Sequence, residues 1–243
     1  MRILVAIVCF ASLGLAQTPP GEAILKRVDQ NMDSDTKVSV GQMRVKERRE
    51  VRTIRMKSWL KGMTSSFTEF LDPPREKGTK MLKLDNQLWT YTPSTDRTIL
   101  ISGHMLRQSV MGSDLSYQDL LEDPKLVPAY EPAVVGEEVL QERPCWVLSL
   151  TSRGGDVAYH SRKIWVDKER FLVMKEDRFA RSGKLLKTTL VNKVALVNGK
   201  WVSSEIEVKD ALKTGGGTEF ILEEVQFNVD IPDHFFTKAA LRR

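Results

Sequence analysis

The chain has 243 residues, 37 Lys+Arg against 32 Asp+Glu, a formal net charge of +5, two Cys and three His. At 41% hydrophobic and 28% charged residues it can bury a core, which excludes a disordered chain, and two cysteines cannot supply a disulfide scaffold.

Taken in chain order, Met1-Arg2 and the apolar run Ile3 to Leu15 have the layout of a secretory signal, with small residues Gly14 and Ala16 at the −3 and −1 positions. Cleavage is expected after Ala16, so that 1–16 is signal peptide and 17–243 a single domain. The run is shorter than the ~20 apolar residues a bilayer core requires, and Cys9 lies deep inside it rather than at an acylation site. The expected mature protein is exported, soluble and periplasmic, the periplasm following if the source is a diderm bacterium. Loss of Cys9 leaves Cys145 alone, within the apolar Pro144-Cys145-Trp146-Val147-Leu148, where a buried inert thiol is expected.

After Pro19-Pro20, Ala23, Ile24, Val28 and Met32 recur at helical spacing, predicting an amphipathic helix that ends before Asp33-Ser34-Asp35. The period then changes to two. Ile54, Met56, Ser58 and Leu60 alternate with Arg55, Lys57 and Trp59, Trp89 and Tyr91 alternate with threonines, and Trp146, Leu148 and Leu150 repeat the pattern. Gly41-Gln42 shifts the phase between Val38/Val40 and Met43/Val45, predicting a bulge that bends the first strand. Asp85-Asn86, Ser182-Gly183 and Asn198-Gly199 read as turns, the last as a type I′ hairpin because both residues tolerate positive φ. Long strands charged on one face and apolar on the other describe a strongly curved antiparallel meander.

Residues from Ser102 to about Leu126 break this rhythm. Met105, Leu106 and Met111 suit a short apolar helix or loop bounded by Gly103 and Gly112, and Ser116-x-x-Asp119 opens a second short helix with an N-cap signature. Such a segment covers one face of the sheet, either as a plug that completes the core or as a movable lid.

The chemistry-bearing patterns are mostly missing. His104, His160 and His234 are far apart, with no His-x-x-x-His, no Cys-x-x-Cys and no Gly-x-Ser-x-Gly, Walker or dinucleotide motif. Only His104 near Ser102, Ser109 and Ser113 suggests a hydrolase, so the chain is read as no enzyme, with no catalytic residue, no metal and no cofactor. Basic residues are interspersed with acids on strands, and an exported chain is not expected to meet nucleic acid; anionic membrane surfaces remain available.

Several longer strings carry a resemblance. Phe70-Leu71-Asp72-Pro73-Pro74-Arg75-Glu76-Lys77-Gly78-Thr79-Lys80-Met81-Leu82-Lys83-Leu84, Leu88-Trp89-Thr90-Tyr91, the run Ile101 to Ser109, the run Met111 to Tyr117, Phe179 to Lys187 and the ending Ile231-Pro232-Asp233-His234-Phe235-Phe236 are similar to the outer-membrane lipoprotein-sorting proteins of the LolA-like superfamily. The similarity runs from about Ala23 to Leu241. It implies a mainly β fold, an unclosed antiparallel β-barrel of about eleven strands with a helical lid or plug. It also implies a periplasmic carrier that shuttles the acyl chains of lipoproteins or lipids toward the outer membrane. Implied partners are an acylated lipoprotein or lipid, an inner-membrane exporter of the ABC-permease or RND type and an outer-membrane acceptor. The superfamily also includes periplasmic regulators of envelope-stress signalling, so a lipid-sensing regulatory or accessory protein of an envelope-stress or export system is the alternative.

The expected ligand-facing set is Trp59, Phe70, Trp89 and Tyr91 on strands with Met105, Leu106, Val110, Met111 and Leu115 on the covering segment. Arg75, Lys77 and Arg107 are candidates for a head group or partner, against ordinary surface ion pairs. Alternation shows only that residues share a face, not which face points inward.

Overall fold

A computed structural model describes residues 18–155 and 157–242; the expected signal peptide over 1–16, with Cys9, and the terminal Arg243 lie outside the described residues. The first helix, α1 (Gly21–Met32), buries Ile24, Leu25 and Val28 on one side and ends where the predicted Asp33-Ser34-Asp35 stop begins. Thirteen strands follow. The first meander is β1 (Thr36–Lys46), β2 (Val51–Lys61), β3 (Ser65–Asp72), β4 (Lys80–Leu84), β5 (Gln87–Thr92) and β6 (Arg97–Ile101). The second is β7 (Tyr130–Leu140), β8 (Arg143–Ser152), β9 (Ser161–Asp167), β10 (Val173–Phe179), β11 (Leu185–Val197), β12 (Lys200–Asp210) and β13 (Thr218–Phe227).

Every pairing is between chain neighbours except one, the antiparallel pairing of β1 with β13 that fuses the two meanders into one sheet. The edges are β6 and β7, which do not pair, so the barrel is unclosed as the resemblance implied. It has thirteen strands rather than about eleven, because an open sheet has no closure condition and its edges accept further hairpins.

The local signals act as their chemistry requires. β1 shifts register against β13 between Val40 and Gly41, and a Cβ at Gly41 would stand 2.6 Å from the Ile221 carbonyl oxygen, so only glycine permits this bulge. The β11–β12 hairpin turns at Asn198 and Gly199 with φ of 50° and 78°. Cys145 is fully buried and unpaired, beside Val147 and Trp165, and burial pushes its thiol pKa up. Among the described residues no helix is long and apolar enough to cross a membrane.

The connection from β6 to β7, residues 102–129, starts at one open edge and ends at the other. It forms helical turns at Gly103–Arg107 and Val110–Gly112, then the short helix α2 (Tyr117–Leu121). Both meanders bury a cluster on the face it covers. In the first, Met43, Ile54, Phe70, Met81, Leu88 and Val110 are joined by Met105, Leu106 and Met111. In the second, α1 packs its Ile24, Leu25 and Val28 with Trp146, Leu148 and Ile164.

Candidate functional site

Between the covering segment and the concave face lie three neighbouring chambers of about 380, 410 and 500 Å³, all of which are lined in part by Pro124. The first is floored by Met43, Met56, Phe70, Met81 and Leu88 and roofed by Val110, Leu115 and Leu120. The second runs under Leu115 and Pro124 against Val173, Ile206, Val208 and Phe220. The third opens beneath α1, between Val28 and Met32 on one side and Leu60, Trp201 and Val225 on the other. β2 presents an uncharged face to the first chamber because alternation turns its Arg55 and Lys57 the opposite way.

Ion pairs and hydrogen bonds pin the roof. The capping box of α2 is complete: the Asp119 carboxylate accepts from the Ser116 N–H at 2.6 Å, and the Ser116 hydroxyl accepts from the Asp119 N–H at 3.3 Å. The same carboxylate, its side chain only 3% exposed, accepts from the Tyr159 hydroxyl at 2.5 Å, pairs with Lys187 and stands 3.6 Å from Arg178. Glu122 accepts from Arg162 Nη2 at 2.9 Å; Arg162 and Arg178 in turn hold Glu176 at 2.7 and 2.8 Å. Nearer β6, Asp114 accepts from the Thr218 hydroxyl at 2.6 Å and the Asp210 N–H at 3.0 Å, and Arg52 donates to the Met111 carbonyl at 2.5 Å. On α1, Asp29 accepts from the Leu126 and Val127 N–H groups at 2.9 and 3.0 Å.

Burial and charge divide the titrations of this network. Burial would raise the Asp119 and Glu176 carboxyls, but Lys187 holds Asp119 below its usual range and Arg178 with Arg162 bring Glu176 down to about 2. For Glu122 burial wins over Arg162 and Arg178, and its pKa is raised. Burial, with Asp119 beside it, pushes the Tyr159 phenol up.

Of the ligand-facing set read from the sequence, Phe70, Val110 and Leu115 line the first chamber, and Met105, Leu106 and Met111 pack on its cluster. Trp59, Trp89 and Tyr91 are corrected: they lie on the opposite, outer face with Phe67 and Leu82. There Trp59 stacks on Phe235 with ring centroids 4.9 Å apart, and Lys238 sits 4.4 Å over Trp89, so the chain end covers this face. The aromatic residues of β2 and β5 are out of phase with Met56 and Leu88, and aromatic content is no guide to which phase faces the concavity. A usable signal was charge: the phase Ile54-Met56-Ser58-Leu60 carries none.

Arg75, Lys77 and Arg107 are exposed and line none of the three chambers; Arg75 stands 3.9 Å from Glu76. His104 is exposed, the Ser109 hydroxyl accepts from Lys213, and the Ser113 hydroxyl accepts from the Leu115 N–H. The buried residues that sequence reasoning missed are Asp114, Arg162, Glu176 and Lys83, and Asp119, read there only as part of a helix cap, also pairs with Lys187; these partners are mostly distant in sequence.

A protein-family model for uncharacterized proteins matches residues 62–243. No curated protein matches this chain. Among solved structures, the chain is similar to a DUF1329 family protein from Desulfovibrio piger ATCC 29098, with 25% identity, coverage of 91% of this chain and 97% of that one, and a TM-score of 0.84. It is similar to an outer membrane lipoprotein-sorting protein domain from Vibrio parahaemolyticus, with 23% identity, 92% and 98% coverage and a TM-score of 0.79. A LolA superfamily protein from Nitrosomonas europaea is 24% identical, with 92% and 100% coverage and a TM-score of 0.75. With that model matching residues 62–243, the chain belongs to the family of uncharacterized proteins it describes, and it shares the fold of the outer membrane lipoprotein-sorting and LolA superfamily structures.

Proposed function

We propose that this protein is a periplasmic carrier that holds acyl chains of lipoproteins or lipids in its covered concavity and conveys them toward the outer membrane. The observation that carries this reading is the set of neighbouring, mainly apolar chambers between sheet and covering segment, each within the range of about 300–1,000 Å³ that ligand sites occupy. Burial of an acyl chain gains about 0.8 kcal/mol per CH₂, so a tail is held without covalent chemistry, and the role is one of binding rather than catalysis. Met105, Leu106 and Met111 occupy the same cluster as the chamber floor, and methionines repack readily around varied tails. Exchange of these side chains for a tail makes the covering segment a lid, and release needs only an acceptor that binds the tail more tightly. An inner-membrane exporter of the ABC-permease or RND type as donor and an outer-membrane acceptor complete the proposed route.

Native mass spectrometry of the protein purified from its own periplasm without detergent, repeated after solvent extraction, tests this. A stoichiometric acylated species that disappears on extraction is the expected result. An apo mass together with refusal of added lipids would overturn it, and stoichiometric capture of an inner-membrane protein domain in place of lipid would favour a regulatory role.

A further inference from the structure

β4 turns Met81 and Lys83 toward the concavity and Leu82 away from it. Lys83 is 8% exposed and lines the first chamber, an unusual place for an ammonium. Its contact is with the Glu122 carbonyl oxygen at 3.3 Å, and among the described residues no carboxylate pairs with it. Of the two carboxylates whose charge reaches it, Glu122 is paired with Arg162, and Asp123 accepts from the Lys125 N–H at 2.9 Å. Burial lowers the Lys83 pKa, and Asp123 and Glu122 offset this only in part. An ammonium in such surroundings is costly until an anion joins it.

The wall beside Lys83 is polar. Ser66 stands directly opposite it across the β3–β4 ladder, and two residues along β3 the Thr68 hydroxyl lies 2.9 Å from that of Ser58. These hydroxyls line the chamber with Lys83, whereas Met43, Phe70 and Met81 supply its apolar wall. Among the described residues Lys83 is the one lysine or arginine lining this chamber, and the Asp119 and Glu122 carboxylates that also border it are paired with Lys187 and Arg162, so the hydroxyl-flanked cation is the complement of an amphiphile with a single anionic end.

We propose that Lys83 is the head-group anchor of this chamber, binding the carboxylate or phosphate of an acyl chain while Ser66 and Thr68 donate beside it and the tail lies along Phe70 and Met81. This rests on the acyl-binding reading and narrows it, making the preferred cargo an anionic lipid rather than a neutral acyl group. The pairing gives the ammonium an anionic acceptor, which the Glu122 carbonyl is not.

The test is titration of the delipidated full-length mature protein with palmitic acid, with lysophosphatidic acid and with uncharged monopalmitin, the first two separating carboxylate from phosphate. The expected result is affinity for at least one anionic lipid at least about tenfold above monopalmitin. Lys83→Gln retains a donor for the Glu122 carbonyl but no charge, and is expected to erase that margin, with an unchanged circular-dichroism spectrum reporting an intact fold. Lys83→Arg is expected to keep the margin. Equal affinity for all three lipids, or a margin that survives in Lys83→Gln, would overturn the anchor and leave the carrier reading standing. Failure of all three to bind would overturn both.

Discussion

Met56 and Trp89 occupy opposite faces of the same sheet, and the difference decides what each does. Met56 floors the first chamber, so Met56→Asp sets a carboxylate against any bound tail without a partner, which costs several kcal/mol. Lipid affinity measured by calorimetric titration is expected to fall more than about tenfold, with β-sheet content by circular dichroism retained. Trp89 packs with Phe67, Leu82 and Leu241 under the chain end. Trp89→Ala is expected to lower stability by about 3–5 kcal/mol in denaturant unfolding and to leave lipid affinity unchanged. Loss of binding in a folded Trp89→Ala protein would bring the outer face into the site.

At the scale of elements, the covering segment owes its position to topology. It leaves the sheet at β6 and returns at β7, the two open edges, so it must cross the mouth of the concavity. Its helix α2 has only five residues and little intrinsic stability, and the capping box of Ser116 and Asp119 supplies part of what it lacks. Ser116→Ala removes the hydroxyl that accepts from the Asp119 N–H, at a cost of about 1 kcal/mol. Amide hydrogen exchange in Tyr117–Leu121 is expected to quicken about fivefold, while amides of β8 and β9 keep their protection. Uniform quickening through the sheet would mean that the segment opens only with global unfolding, as a plug rather than a lid.

For the molecule as a whole, the charge network is what ties the roof to the second meander, and it titrates. Glu176 is held to about 2, below its ordinary 4.5, so its contribution is complete above about 4.5 and is lost as the pH falls toward 2. Asp119, also held low, acts in the same direction. Glu122, raised by burial, acts in the opposite one, favouring the folded state when protonated and losing that contribution as the pH rises through its pKa. Thermal melting midpoints are therefore expected to drop on acidification below about pH 4.5 as the two lowered carboxyls dominate. Glu176→Gln leaves Arg162 and Arg178 facing a neutral group, and is expected to cost about 3–5 kcal/mol at neutral pH and to flatten the acid limb.

The helix at Gly21–Met32, the bulge at Gly41, the Asn198-Gly199 hairpin and the capped turn at Ser116 were legible in the sequence, because each is specified by residues within a few positions of one another. The strings from Phe70 to Phe236 likewise carried a resemblance whose unclosed barrel is the fold observed. What only the tertiary structure decided is which phase of each strand faces inward. A two-residue period defines two faces and is indifferent to their choice, so Trp59, Trp89 and Tyr91 went to the chain end while Met43, Met56 and Met81 took the chamber. The network of Asp119, Glu122, Arg162, Glu176 and Lys187 spans up to 68 positions of sequence, and its buried charges are brought together only when the covering segment crosses from β6 to β7. Pairing at such distance leaves no local pattern, because the partners are chosen by the route of the backbone and not by spacing along it.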